Sequence, residues 1–76
     1  MDNINYLFES PSFGMEKLED GSIRIHDKQT KQKALFAPYA AQGIINSIYQ
    51  QADMGNDYDV SLERLGQILQ LKGCFF

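Results

Sequence analysis

A single cysteine, two prolines and no tryptophan stand among 76 residues. One thiol excludes an intrachain disulfide framework and any zinc site built from several cysteines. No apolar run approaches the roughly 20 residues that a membrane-spanning helix needs. Residues 1–12 also lack the basic stretch and apolar run of a secretory signal. Neither GxGxxG nor GxxxxGK occurs, so no glycine-rich phosphate loop and no cofactor motif is present. The one histidine, His26, lies four residues from Ser22 on the same predicted strand. That spacing does not bring a base to a nucleophile. Charge of one sign is scarce too: the formal balance is −3, too mild for a polyanionic DNA mimic. With a pI near 4.8, the chain also lacks the basic balance normal for a nucleic-acid-binding domain.

What remains is ordinary for a globular chain, with 43% apolar and 22% charged residues. At 8.7 kDa, folding is expected to hide about 60–65% of the unfolded surface. That is enough for one small cytoplasmic domain over residues 1–76, with no room for a catalytic domain beside a binding domain.

The pattern predicts an α+β fold: a three-stranded antiparallel meander over about 13–36, covered by two helices at about 38–53 and 60–72. Phe13 and Met15, then Ile23 and Ile25, alternate with small or polar residues around Glu19-Asp20-Gly21. A two-residue loop would set Glu16 opposite Ile25. A three-residue loop with Gly21 in the left-handed region sets Met15 opposite Ile25 and Glu16 opposite Arg24, separating apolar from polar faces, and is the register expected. The second hairpin, around Lys28–Lys33, admits two registers. A four-residue loop opposes Ile25 with Ala34 and leaves Leu35 outside, whereas one more residue opposes Ile25 with Leu35.

Pro38 suits the first position of a helix, because its missing N–H has no partner there. Ala41, Ile44, Ile45, Ile48, Tyr49 and Ala52 then form one apolar stripe, ending near Asp53–Gly55. A second helix opens with Asp59 or Ser61 as its N-cap. It carries Leu62, Leu65, Ile68 and Leu69 inward and stops at Gly73. Residues 1–12 are the least legible. Ile4, Tyr6 and Phe8 alternate like a strand, yet Tyr6-Leu7-Phe8 also fits one helical turn, and Pro11 closes either. Gly43 and Gly66, inside the helices, are expected where a helix approaches its neighbour closely.

Tyr6, Phe8, Phe13 and Phe36 are the aromatics expected in the core, and His26 is expected to face solvent. Cys74 is expected to be packed or idle, since a reactive thiol needs a fixed, positive surrounding. Asp53, Asp57 and Asp59 invite a calcium reading. The EF-hand spacing fails, because glycine is third and Arg64 twelfth from Asp53. No metal is expected.

Charge is distributed in blocks. Residues 1–21 carry −4, residues 22–36 carry +3, and the remainder carries −2. Two functional readings follow, neither enzymatic, since no two groups are recognisably placed for acid–base or nucleophilic work. The first is a protein-binding module acting by occupying a partner's surface, as an inhibitor or adaptor. Its contact set is Asp53, Asp57, Tyr58 and Asp59, an aromatic flanked by acids in the manner of an interface anchor. Small acidic domains without motifs of this kind are common among accessory proteins of phages and mobile elements. The alternative is a binder of nucleic acid or a phosphorylated small ligand through Arg24, Lys28, Lys31 and Lys33. Self-association into a homodimer through the small residues Ala40, Ala41 and Gly43 is a third route. Phe75 and Phe76 either fold back onto the core or stay free as anchors.

Overall fold

Four short strands come first: β1 (Tyr6–Glu9), β2 (Phe13–Lys17), β3 (Ile23–Asp27) and β4 (Lys33–Phe36). The structure is a computed structural model and describes residues 6–76; the expectation for Ile4 lies outside the described residues. The strands form one antiparallel sheet in the order β1-β2-β3-β4. Two helices follow, α1 (Pro38–Asp53) and α2 (Tyr58–Leu71).

The α+β class holds, with four strands where the sequence pattern shows three. The strand missed is β1, and a local irregularity explains why it is hard to read. Tyr6 pairs with Glu16, but Phe8 pairs with Met15, so β1 carries one extra residue between them. A bulge of this kind reverses the face that the following residues take, so side chains two apart in the sequence end on opposite faces. Phe8 therefore joins Met15 on the inner face, while Tyr6 joins Glu16 on the outer face. Tyr6 is consequently not a core residue, contrary to the alternation.

Turn chemistry sets the other registers. In the first hairpin Met15 pairs with Ile25 and Glu16 with Arg24, and Gly21 sits at φ 94°. That backbone region is open to glycine at little cost, which makes the three-residue loop the favourable one. The second hairpin takes the four-residue loop, with Ile25 opposite Ala34 and Ile23 opposite Phe36. Leu35 is left 64% exposed on the outer face.

The core lies between the inner sheet face and the helices. Phe8, Phe13, Met15, Ile23 and Ile25 meet Ala41, Ile45, Ile48, Leu62 and Leu69 there, and Phe36 packs beside them. Pro38 opens α1 as expected. Gly73, at φ 72°, follows the end of α2.

The second helix starts earlier than the capping pattern suggests. Its N-cap is Asp57, with neither Asp59 nor Ser61 in that role. Ser61 lies inside the first turn and is buried, its hydroxyl donating to the Asp57 carbonyl at 3.2 Å. A side chain that bonds back to the preceding turn is no longer available as a cap. Tyr58 enters the helix and packs on Phe8, with ring centroids 5.1 Å apart.

The two helical glycines separate. A Cβ at position 66 would overlap the Phe13 ring, so Gly66 does mark a close approach. Nothing lies within 4 Å of the corresponding point at Gly43, so close packing inside the chain does not explain it. The terminal phenylalanines also divide. Phe75 stacks on Phe13 at 5.8 Å. Phe76 keeps its side chain exposed while its backbone exchanges two hydrogen bonds with Lys33, of 2.9 and 3.0 Å, on the edge of β4.

Candidate functional site

Helices cover one face of the sheet, and no element among the described residues covers the other. Register decides what that outer face presents, because directly paired residues share a face. Glu16, Arg24 and Leu35 form one row, and Gly14, His26 and Lys33 form the next. Tyr6 lies across them from β1. Its ring occupies the space that a Cβ on Gly14 would need, and it meets His26 edge-on at 5.7 Å. His26 is therefore only 8% exposed, which corrects the expectation that it faces solvent. The alternation places it on the polar face correctly, but the bulge that lays Tyr6 over it is invisible in the alternation.

Glu16 is the hub of this face. Its Oε1 lies 3.0 Å from Nε2 of His26 and 3.4 Å from Nη1 of Arg24. Lys28 turns toward β1, where its ammonium donates to the Glu9 carboxylate and to the Ser10 carbonyl and lies 5.6 Å from the Tyr6 ring centroid. Tyr6, Glu16, Arg24, His26 and Lys28, together with Asp27, Lys31, Gln32 and Lys33, line an open depression of about 560 Å³. All four cations singled out in the sequence, Arg24, Lys28, Lys31 and Lys33, lie on that one concavity. Two of them, Lys31 and Lys33, have no carboxylate within salt-bridge reach among the described residues.

Asp27 is the residue that sequence reasoning passed over. It faces the core side of the sheet, 2% exposed. Burial pushes its carboxyl up, but the N–H groups of Thr30 and Gln29 and the Gln70 amide donate to it and hold it below the ordinary aspartate range. It thereby fixes the β3–β4 turn and ties it to α2. An aspartate at a strand end, followed by a polar turn with a threonine, is a side-chain-to-backbone turn signal that was legible. Asp20 does the same at the first hairpin. The Ser22 hydroxyl and N–H donate to its carboxylate and lower its pKa.

A second surface surrounds the connection between the helices. Tyr49 and Tyr58 are each 46% exposed and meet edge-to-face at 5.9 Å, both resting on the buried Phe8. Met54, just past the end of α1, is 79% exposed, and the exposed Val60 lines a separate groove with Pro11, Glu63 and Arg64. Asp53, Asp57 and Asp59 are exposed, and none has a cation within salt-bridge reach among the described residues. Asp53 ends α1 and Asp57, Tyr58 and Asp59 begin α2, so all four flank the connection between the helices, with Tyr58 resting on the core residue Phe8. A shallow groove of about 380 Å³ runs between the helices, lined by Gly43, Ile44, Leu65 and Ile68 among others. At its end nearest this turn, Gln51 Oε1 is buried without a hydrogen-bond partner among the described residues.

Cys74 is half-buried against the core, and its N–H donates to the Leu69 carbonyl at 3.0 Å. Of the small-residue set, Ala41 is fully buried while Ala40 and Gly43 remain exposed. Among the described residues no three His, Cys, Asp or Glu side chains converge as a metal site. No described helix is long and apolar enough to cross a membrane. Comparison with known proteins gives no match, whether to family models, to curated proteins or to solved structures.

Proposed function

We propose that this chain is a non-enzymatic protein-binding module that acts by covering a basic surface on a partner protein. The observation that supports this reading is the turn between the helices. Two half-exposed tyrosines sit on a buried phenylalanine, with the exposed Met54 in the connecting turn and three aspartates without a cation in salt-bridge reach among the described residues. A tyrosine held from below loses little rotamer freedom when a partner covers it, and such aromatics dominate binding energy at the centre of interfaces. The aspartate rim sets the sign of the partner, because opposite potentials steer encounter and like charges are rejected.

Occupying a surface is sufficient for an inhibitor or adaptor, and no turnover is required of it. A photo-crosslinking amino acid at position 54 tests the reading in the source cell, with the same group at position 17 as control. One protein should be captured from position 54 alone, with a basic contact region, and capture should fall at least tenfold when Asp53 and Asp59 are changed to Lys. Equal capture from both positions, or capture indifferent to the charge reversals, defeats the reading. A crosslink between two copies would replace it with self-association.

A further inference from the structure

The geometry points to a second binding site, for a phosphate-bearing small molecule, in the depression on the outer face of the sheet. It rests on none of the residues of the interhelical turn. Three observations carry it. The first is the balance of charge: four cations, Arg24, Lys28, Lys31 and Lys33, line the concavity against two carboxylates. Neither carboxylate is free to neutralise the lysines. Glu16 is shared between Arg24 and His26, and the carboxylate of Asp27 is committed to the turn and to Gln70. Lys28 is likewise committed, to Glu9, so the unanswered charge is that of Lys31 and Lys33, with Arg24 beside them and partly satisfied.

The second observation is the backbone of Lys31, at φ 64°. It is the one non-glycine residue among those described in the left-handed region. Glycine or asparagine fills that position of a turn at lower cost. A lysine held there against its conformational preference directs attention to its side chain, since strain of this kind gathers at functional positions.

The third observation is size and lining. A volume of about 560 Å³ falls in the range of small-molecule sites, and donor-only cations outnumber carboxylates in its lining by four to two. The anion that matches lysine ammoniums beside an arginine fork is a phosphate group, which accepts several charge-assisted bonds at once. A phosphomonoester fits better than a nucleic acid strand. The one aromatic in the depression, Tyr6, is packed against His26 and Gly14 with Lys28 beside its ring, so it offers no stacking platform for successive bases.

The test uses the whole chain, isotopically labelled, and follows backbone amide shifts by NMR. Inorganic phosphate, ribose 5-phosphate and a short single-stranded oligonucleotide are the probes. Saturable shifts at Arg24, His26 and Lys31–Lys33 are expected with the first two, and tighter binding of ribose 5-phosphate than of phosphate assigns the ligand to the esters. Affinity should fall about tenfold in Lys31→Gly and again in Lys33→Ala, the loss typical of one charge-assisted bond. It should stay unchanged in Lys17→Ala and Asp53→Lys. Lys31→Gly is the variant least able to fail by misfolding. The proposal is overturned if shifts do not saturate, if Lys31→Gly and Lys33→Ala together leave binding intact, or if the oligonucleotide binds more tightly than the ester.

Discussion

The interhelical turn and the outer sheet face are both charged surfaces, but their side chains stand in different relations to the fold. At the turn, the residues that a partner would meet are also structural. Tyr58 closes the core over Phe8, Asp57 is the N-cap of α2, and Asp59 lies in its first turn, where a negative charge is favourable. On the sheet face, Lys31 and Lys33 make no bond through their side chains to the rest of the molecule among the described residues, and Lys31 costs the fold something. The difference teaches how to test each. Substitutions at the turn lower stability along with binding, whereas Lys33→Ala should change binding alone and Lys31→Gly should weaken binding without weakening the fold.

Removing the platform sharpens the contrast most. Tyr58→Ala should lower stability by roughly 2 kcal/mol through lost aromatic packing on Phe8 and Tyr49, measured by urea unfolding. An unchanged midpoint would mean that Tyr58 is as free of structural duty as the lysines are.

Asp27→Asn comes next, with an expected loss of about 1–2 kcal/mol at neutral pH from weakened bonds to the Gln29 and Thr30 N–H groups and to Gln70. Its pH dependence has a definite sign. The folded carboxyl lies below its ordinary value of 3.8, so its ionised bonds stabilise the fold above that pH and the contribution is lost as pH falls through the lower folded value. The gap between wild type and Asp27→Asn should therefore be constant near neutrality and shrink below about pH 3.8. A gap that persists unchanged in acid would refute the assignment. Asp20, lowered by Ser22, titrates in the same direction.

The smallest effect is the most discriminating. Lys31→Gly should raise stability by up to about 1 kcal/mol, and thermal unfolding would register it. A loss of stability would show that the lysine side chain serves the turn, and the contrast between the two surfaces would fail.

Much of the fold was legible because its signals are local. Asp20-Gly21 in a three-residue loop, Pro38 at a helix start and Gly73 at a helix stop each constrain a backbone angle within a few residues. The period-two rows of β2 and β3 follow from side-chain alternation in the same way. The turn surface was legible for the same reason, since Asp53, Asp57, Tyr58 and Asp59 are neighbours in the chain. The outer sheet face was legible only in part. Its cations lie in one hairpin and could be named, but Tyr6 and Glu16 reach them from β1 and β2.

Spacing in the chain alone determined the α+β class, the registers of β2 to β4 up to one alternative, the span of α1 and the uneven charge. Tertiary structure decided the rest. A bulge in β1 turned Tyr6 away from the core and over His26, and packing on Phe8 drew Tyr58 into α2. Pairing of successive strands across the sheet brought Tyr6 and Glu16 beside the lysines on one open depression. Those outcomes depend on which residues meet across the sheet, and one extra residue in a strand exchanges its faces without leaving a mark on the local pattern.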